Sequence, residues 1–134
     1  MRRVLIFLAA LLPGACNLQQ GTPTPVPTPD APQVEFRFPV NGSTILEGAE
    51  LTIELLATDP GSGVARVELL VDDVFYRDGK PEVSPSVPTF TVTMNWLAQG
   101  VGPHAMTALA YRLDGVSSAP ETIIIEVLPN SGTP

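Results

Sequence analysis

Catalysis in this 134-residue chain would have to rest on few reactive side chains: one cysteine, one histidine and 14 carboxylates. A nucleophilic Ser or Cys must sit beside a base that activates it. The only histidine is His104, and the only thiol, Cys16, lies far up the chain from it. Zinc takes three or four nitrogen or sulfur ligands, more than one His and one Cys can provide. No glycine loop opens a helix to cradle phosphate. Paired carboxylates can hydrolyse glycosides, but so many acids on a small domain form close pairs anyway. The expectation is a protein that is not an enzyme and carries no cofactor, with His104 at a strand start and its ring near solvent.

Calcium is the one ligand the acids suggest. Asp59, Asp78, Glu82 and Asp114 fall in loops that a sandwich of this strand order gathers at one end. Calcium takes six to eight oxygens, from carboxylates and loop carbonyls alike. The competing reading is that Asp-Pro-Gly, Asp-Gly-Lys-Pro and Asp-Gly are turn sequences in which Asp bonds its own backbone. The turn reading is preferred.

The address of the protein is written at Cys16. Met1-Arg2-Arg3 precedes an apolar run, Val4 to Leu12, followed by small residues. That pattern reads as an export leader over 1–15. Nine apolar residues are too few to span a bilayer, which takes about 20. A leftover thiol in an exported chain asks for a role, and thioether lipidation supplies one. The segment Leu12-Pro13-Gly14-Ala15-Cys16 resembles the bacterial lipobox, with Pro13 departing from its aliphatic preference. The resemblance implies a lipidated Cys16 and a membrane anchor. Residues 16–33 then form a linker whose Pro23, Pro25, Pro27, Pro29 and Pro32 favour extended polyproline II. Its reach is on the order of 50 Å at about 3.1 Å per residue.

Without Arg2 and Arg3 the mature chain carries five basic and 14 acidic residues, a net charge of −9. Such a surface repels nucleic acid and anionic headgroups alike. The lipid is therefore the expected membrane contact, and a protein or carbohydrate the expected partner class.

From Val34 the hydrophobic period is two. Val34-Glu35-Phe36-Arg37-Phe38 alternates, as do Leu51, Ile53 and Leu55 against Thr52 and Glu54, and Phe90, Val92, Met94 and Trp96 against Thr91, Thr93 and Asn95. Alternation marks strands with one buried face. Gly, Pro, Asn and Asp clusters separate the runs, and Asp72-Asp73 reads as a two-residue hairpin turn. Seven strands are expected, at about 33–39, 50–58, 64–71, 74–77, 89–96, 104–112 and 121–128. Seven short antiparallel strands in one domain over 34–128, with a flexible tail at 129–134, fit an all-β sandwich. In 104–112 the small face of Met106, Ala108 and Ala110 is expected inward to make room for Trp96, with the opposite assignment open.

The run resembles bacterial immunoglobulin-like domains. The residues that carry the resemblance are Phe38-Pro39, Gly42-Ser43, Ile53-x-Leu55-x-Ala57-x-Asp59, Val64-x-x-Val67-x-Leu69-x-Val71-Asp72, Trp96 and Gly102-Pro103-His104-x-Met106-x-Ala108-x-Ala110. Arg112 departs from the family pattern, as does the proline-rich stretch Gly79 to Pro88. The resemblance implies an immunoglobulin-like β-sandwich and leaves the function open.

In such a sandwich the linker enters at the acidic-loop end. The opposite tip would carry Val40 to Gly48, Asp72-Asp73, Leu97 to Gly102 and the tail. Partner contacts are sought first at Ile45, Leu46, Leu97 and Val101, although closing the end of the sandwich explains them as well. Ile124 and Leu128 lie on the outer face of 121–128, which is either partly covered or an exposed apolar edge that would pair with another copy. The leading expectation is a lipid-anchored interaction or display module at the outer face of a bacterial envelope. The alternatives are a calcium- or carbohydrate-dependent adhesion domain and an accessory subunit contacting through 121–128.

Overall fold

The computed structural model describes Gly21 and residues 31–132, so Cys16, the leader and most of the linker lie outside the described residues. Alternating apolar residues build β1 (Gln33–Phe38), β3 (Glu50–Thr58), β4 (Arg66–Val71), β6 (Thr89–Leu97), β7 (Gly102–Tyr111) and β8 (Glu121–Leu128). Two further strands, β2 (Thr44–Leu46) and β5 (Val74–Gly79), complete the set. The order β1-β3-β6 makes one sheet and β2-β8-β7-β4-β5 the other. The fold is an all-β immunoglobulin-like sandwich.

The core lies between the sheets, where alternation delivers one face of each long strand. Ile53, Leu55 and Ala57 of β3 meet Val67 and Leu69 of β4, Met106, Ala108 and Ala110 of β7, and Ile123, Ile125 and Val127 of β8. Each large aliphatic side chain so buried contributes about 1.5–3 kcal/mol. Met106, Ala108 and Ala110 are fully buried, which settles the open assignment of β7 in favour of its small face. Trp96 is buried in the same cluster.

Among the described residues, eight strands stand where seven were expected. Thr44–Leu46 is too short to show a period, and it pairs parallel with Glu126–Leu128. This corrects the reading of β8 as an edge, because β2 occupies its free side. Gly42 N donates to the Ile124 carbonyl at 2.8 Å, and Ile124 N donates to Asn41 Oδ1 at 2.8 Å. β5 also runs two residues longer than expected, to Gly79.

Candidate functional site

The sandwich has two poles. Gln33 pairs with Thr58, and Thr58 with Thr89, so β1 begins beside the loops 59–65, 80–88 and 112–120. Glu50 pairs with Leu97, and Val71 with Val74, placing the 72–73 turn and the 98–101 loop at the opposite pole. The expected division is therefore present for these loops. Of the expected 40–48 segment, however, only the end near Gly48 reaches the second pole, bonded to the Ala98 carbonyl, while Asn41 and Gly42 lie beside Ile124 in the middle of β8.

At the first pole, Asp59 is fully buried beyond the end of β3. Its partner is Arg112, whose Nε donates to Oδ2 at 2.5 Å and Nη2 to Oδ1 at 3.2 Å. Ser62 N also donates to Oδ1, at 3.2 Å. The Arg112 hydrogen bond holds the Asp59 carboxyl below its ordinary range, against the opposing effect of burial. A two-pronged guanidinium is the usual way to keep a buried carboxylate ionised. The unusual Arg112 thus serves the buried acid.

The other expected calcium ligands do not converge on Asp59. Asp114 Oδ1 accepts from Val116 N at 3.0 Å, as the turn reading holds. Asp78 lies on β5 opposite Glu68, 4.0 Å from Lys80, and Glu82 is exposed. Among the described residues, no group of three or more His, Cys, Asp and Glu side chains is placed to hold a metal ion. Asp59 instead turns inward to an arginine, while Asp114 serves its own turn and Asp78 a strand surface, in line with the preferred turn reading.

The second pole carries the more elaborate polar arrangement. Asp72 and Asp73 adopt φ of 52° and 64°, the left-handed pair that a two-residue hairpin requires. Asp72 is then locked to β7: its N donates to the Ala105 carbonyl at 2.8 Å, and its Oδ1 accepts from Ala105 N at 2.9 Å. Its Oδ2 lies 2.6 Å from His104 Nδ1, while His104 Nε2 lies 2.6 Å from the Gly100 carbonyl. The ring packs against Trp96 with centroids 5.4 Å apart. His104 is thus more enclosed than a solvent-facing strand start, its side chain 16% exposed. Burial pushes the Asp72 carboxyl up, but His104 and Ala105 N outweigh it and leave it lowered. The Gly100 carbonyl, followed by Asp72, raises the His104 pKa.

Asp72, Tyr76, Trp96, Leu97, Gln99 and His104 line an open cleft of about 410 Å³, and Tyr76 Oη donates to the Asn95 carbonyl at 2.7 Å. Both His104 nitrogens face acceptors, so neither is placed to take a proton from a nucleophile. Of the sequence-derived contact residues, Leu46, Leu97 and Val101 are exposed near this pole. Ile45 is not: it packs against the core, opposite Val127. Ile124 is exposed on the outer face of the five-stranded sheet. Sequence reasoning missed Asp72 as a side-chain ligand, and the lone histidine gave no sign of its partner 32 positions away.

The family described as Bacterial Ig domain matches residues 32–108. No curated protein matches the chain. Among solved structures, the fibronectin(III)-like modules of CbhA from Clostridium thermocellum are 23% identical with a TM-score of 0.64, covering 78% of this chain and 50% of that one. The chain therefore spans only half the length of that relative. The SrpA adhesin of Streptococcus sanguinis is 16% identical, TM-score 0.55, over 75% of this chain and 57% of that one. The PKD domain of a peptidase from a Thermoplasmatales archaeon is 14% identical, TM-score 0.54, over 72% and 92%. At these identities the likeness concerns the fold alone.

Proposed function

The chain belongs to the bacterial Ig domain family, and from that membership we propose a non-enzymatic surface lipoprotein that displays its sandwich as an interaction module. Lipid on Cys16 anchors it to the outer face of a bacterial membrane, and the Thr/Pro linker holds the domain clear. The single observation that carries the reading is the opposition of the poles. The chain enters β1 beside the Asp59 loops, while Leu46, Leu97 and Val101 lie exposed toward the far end. A domain tethered at one pole offers the other to a partner, and exposed apolar side chains at strand ends and on a loop there suit protein contact. A net charge of −9 on the mature chain keeps the body off anionic headgroups within a Debye length of about 8 Å.

Cys16→Ser tests the anchor. The full chain should partition with membranes and incorporate labelled fatty acid, and the variant should lose both properties. Wild-type protein found soluble, with an unmodified thiol, would overturn the reading.

A further inference from the structure

His104 stands between two acceptors. A carboxylate and a backbone carbonyl have no proton to give, and a neutral imidazole carries one N–H. The neutral ring would therefore set a nitrogen lone pair against an oxygen lone pair at 2.6 Å, on one side or the other. Only the imidazolium, with both nitrogens protonated, satisfies Asp72 and Gly100 together. These partners sit on different loops, the 72–73 turn and the connection from β6 to β7. Asp72 is held by Ala105 as well, whereas the Gly100 contact ties the second loop to the ring.

From this geometry we infer that His104 is a proton-operated clasp, closing the Gln99–Val101 segment, beyond the core residue Ala98, onto the pole as imidazolium and releasing it as imidazole. On deprotonation the remaining N–H stays with Asp72, because an ionised acceptor binds more strongly than a carbonyl. Nε2 then faces Gly100 with a lone pair, and the loop bearing Val101 comes free. The charged groups about the ring are Asp72 on the turn and Glu126 on β8, both acidic. The faces from β5 and β6 are Tyr76 and Trp96, and the loop from Leu97 to Pro103 holds no charged residue. Every nearby charge favours the closed form. The folded pKa lies above the ordinary value of about 6.5. The clasp is therefore shut at and below that pH and opens as pH rises through the folded value. This holds whether or not the lipid anchor does.

One His and one Trp in the chain make the test direct. In the full chain, the His104 ring resonances should titrate with a midpoint above about 6.5. Trp96 emission should rise with pH at the same midpoint, since imidazolium quenches a neighbouring indole, and amide exchange should quicken at 99–101. Asp72→Asn should shift the midpoint down. Were that variant unfolded, the wild-type titration would still decide the matter. A midpoint at or below about 6.5, or a titration that leaves exchange at 99–101 unchanged, would overturn the clasp.

Discussion

Asp59 and Arg112 form a two-pronged ion pair inside one pole of the sandwich, although 53 positions separate them in sequence. The pair joins the loop after β3 to the start of the β7–β8 connection. Removing one partner of a buried pair leaves an uncompensated charge and costs about 3–5 kcal/mol. Asp59→Ala should therefore lower the melting midpoint by more than about 10 °C. Replacing both residues with apolar side chains of similar size should recover much of the loss. Equal losses in the single and double variants would show that the pair does not act as a unit.

The same pair sets a limit on the acid side. The pKa of Asp59 is depressed on folding, so its contribution is complete above the unfolded value of about 3.9. It fades as pH falls through the folded value. Chemical denaturation at stepped pH should show stability dropping below about pH 4. Arg112→Met should flatten that drop; an unchanged profile would place the sensitivity in another carboxylate.

These two residues also show how far the sequence could be read. Period-two alternation located the long strands, because a buried face demands every second side chain be apolar. It also grouped Leu51, Ile53 and Leu55, and Met94 with Trp96, on single faces that prove buried. It was silent on β2, whose three residues carry no period, and so left β8 as an edge. Asp59 was visible as an acid and Arg112 as an oddity. Their meeting is a tertiary event between loops, and no local pattern encodes it. His104 and Asp72 were hidden in the same way.

Gly79 offers a packing test. On β5 it lies opposite the buried Val67, and an added Cβ would come within 2.5 Å of Val92 Cγ2. Valine is stiff at χ1 and has little room to yield. Gly79→Ala should cost about 1–3 kcal/mol in denaturant unfolding. In combination with Val92→Ala the two changes should be less than additive, as expected for groups in contact. Full additivity would mean the two residues do not meet across the sheets.

The fate of the acidic loops predicts a calcium result. Asp59 is occupied by Arg112, and Asp114 caps its own turn. A ligand that binds only the native state raises the melting midpoint. Millimolar calcium should move it no more than magnesium at equal ionic strength. A calcium-specific rise would return the 59–65, 80–88 and 112–120 loops to consideration as a site.

The pairing of β8 with the 41–46 segment separates two ways in which Ile124 can matter. Its side chain is exposed, but its N–H and C=O are already taken by Asn41 and Gly42. A strand so bonded has no free edge there for a second chain to extend. Ile124→Lys should accordingly change stability by no more than about 0.5 kcal/mol, as at most surface sites, and leave the association state as it was. Asn41→Ala removes an acceptor from the Ile124 N–H and should cost about 1 kcal/mol. Sedimentation and denaturant unfolding of the two variants distinguish these effects. A loss of association in Ile124→Lys would restore the outer face of β8 as a contact surface, reached through side chains and not through backbone pairing.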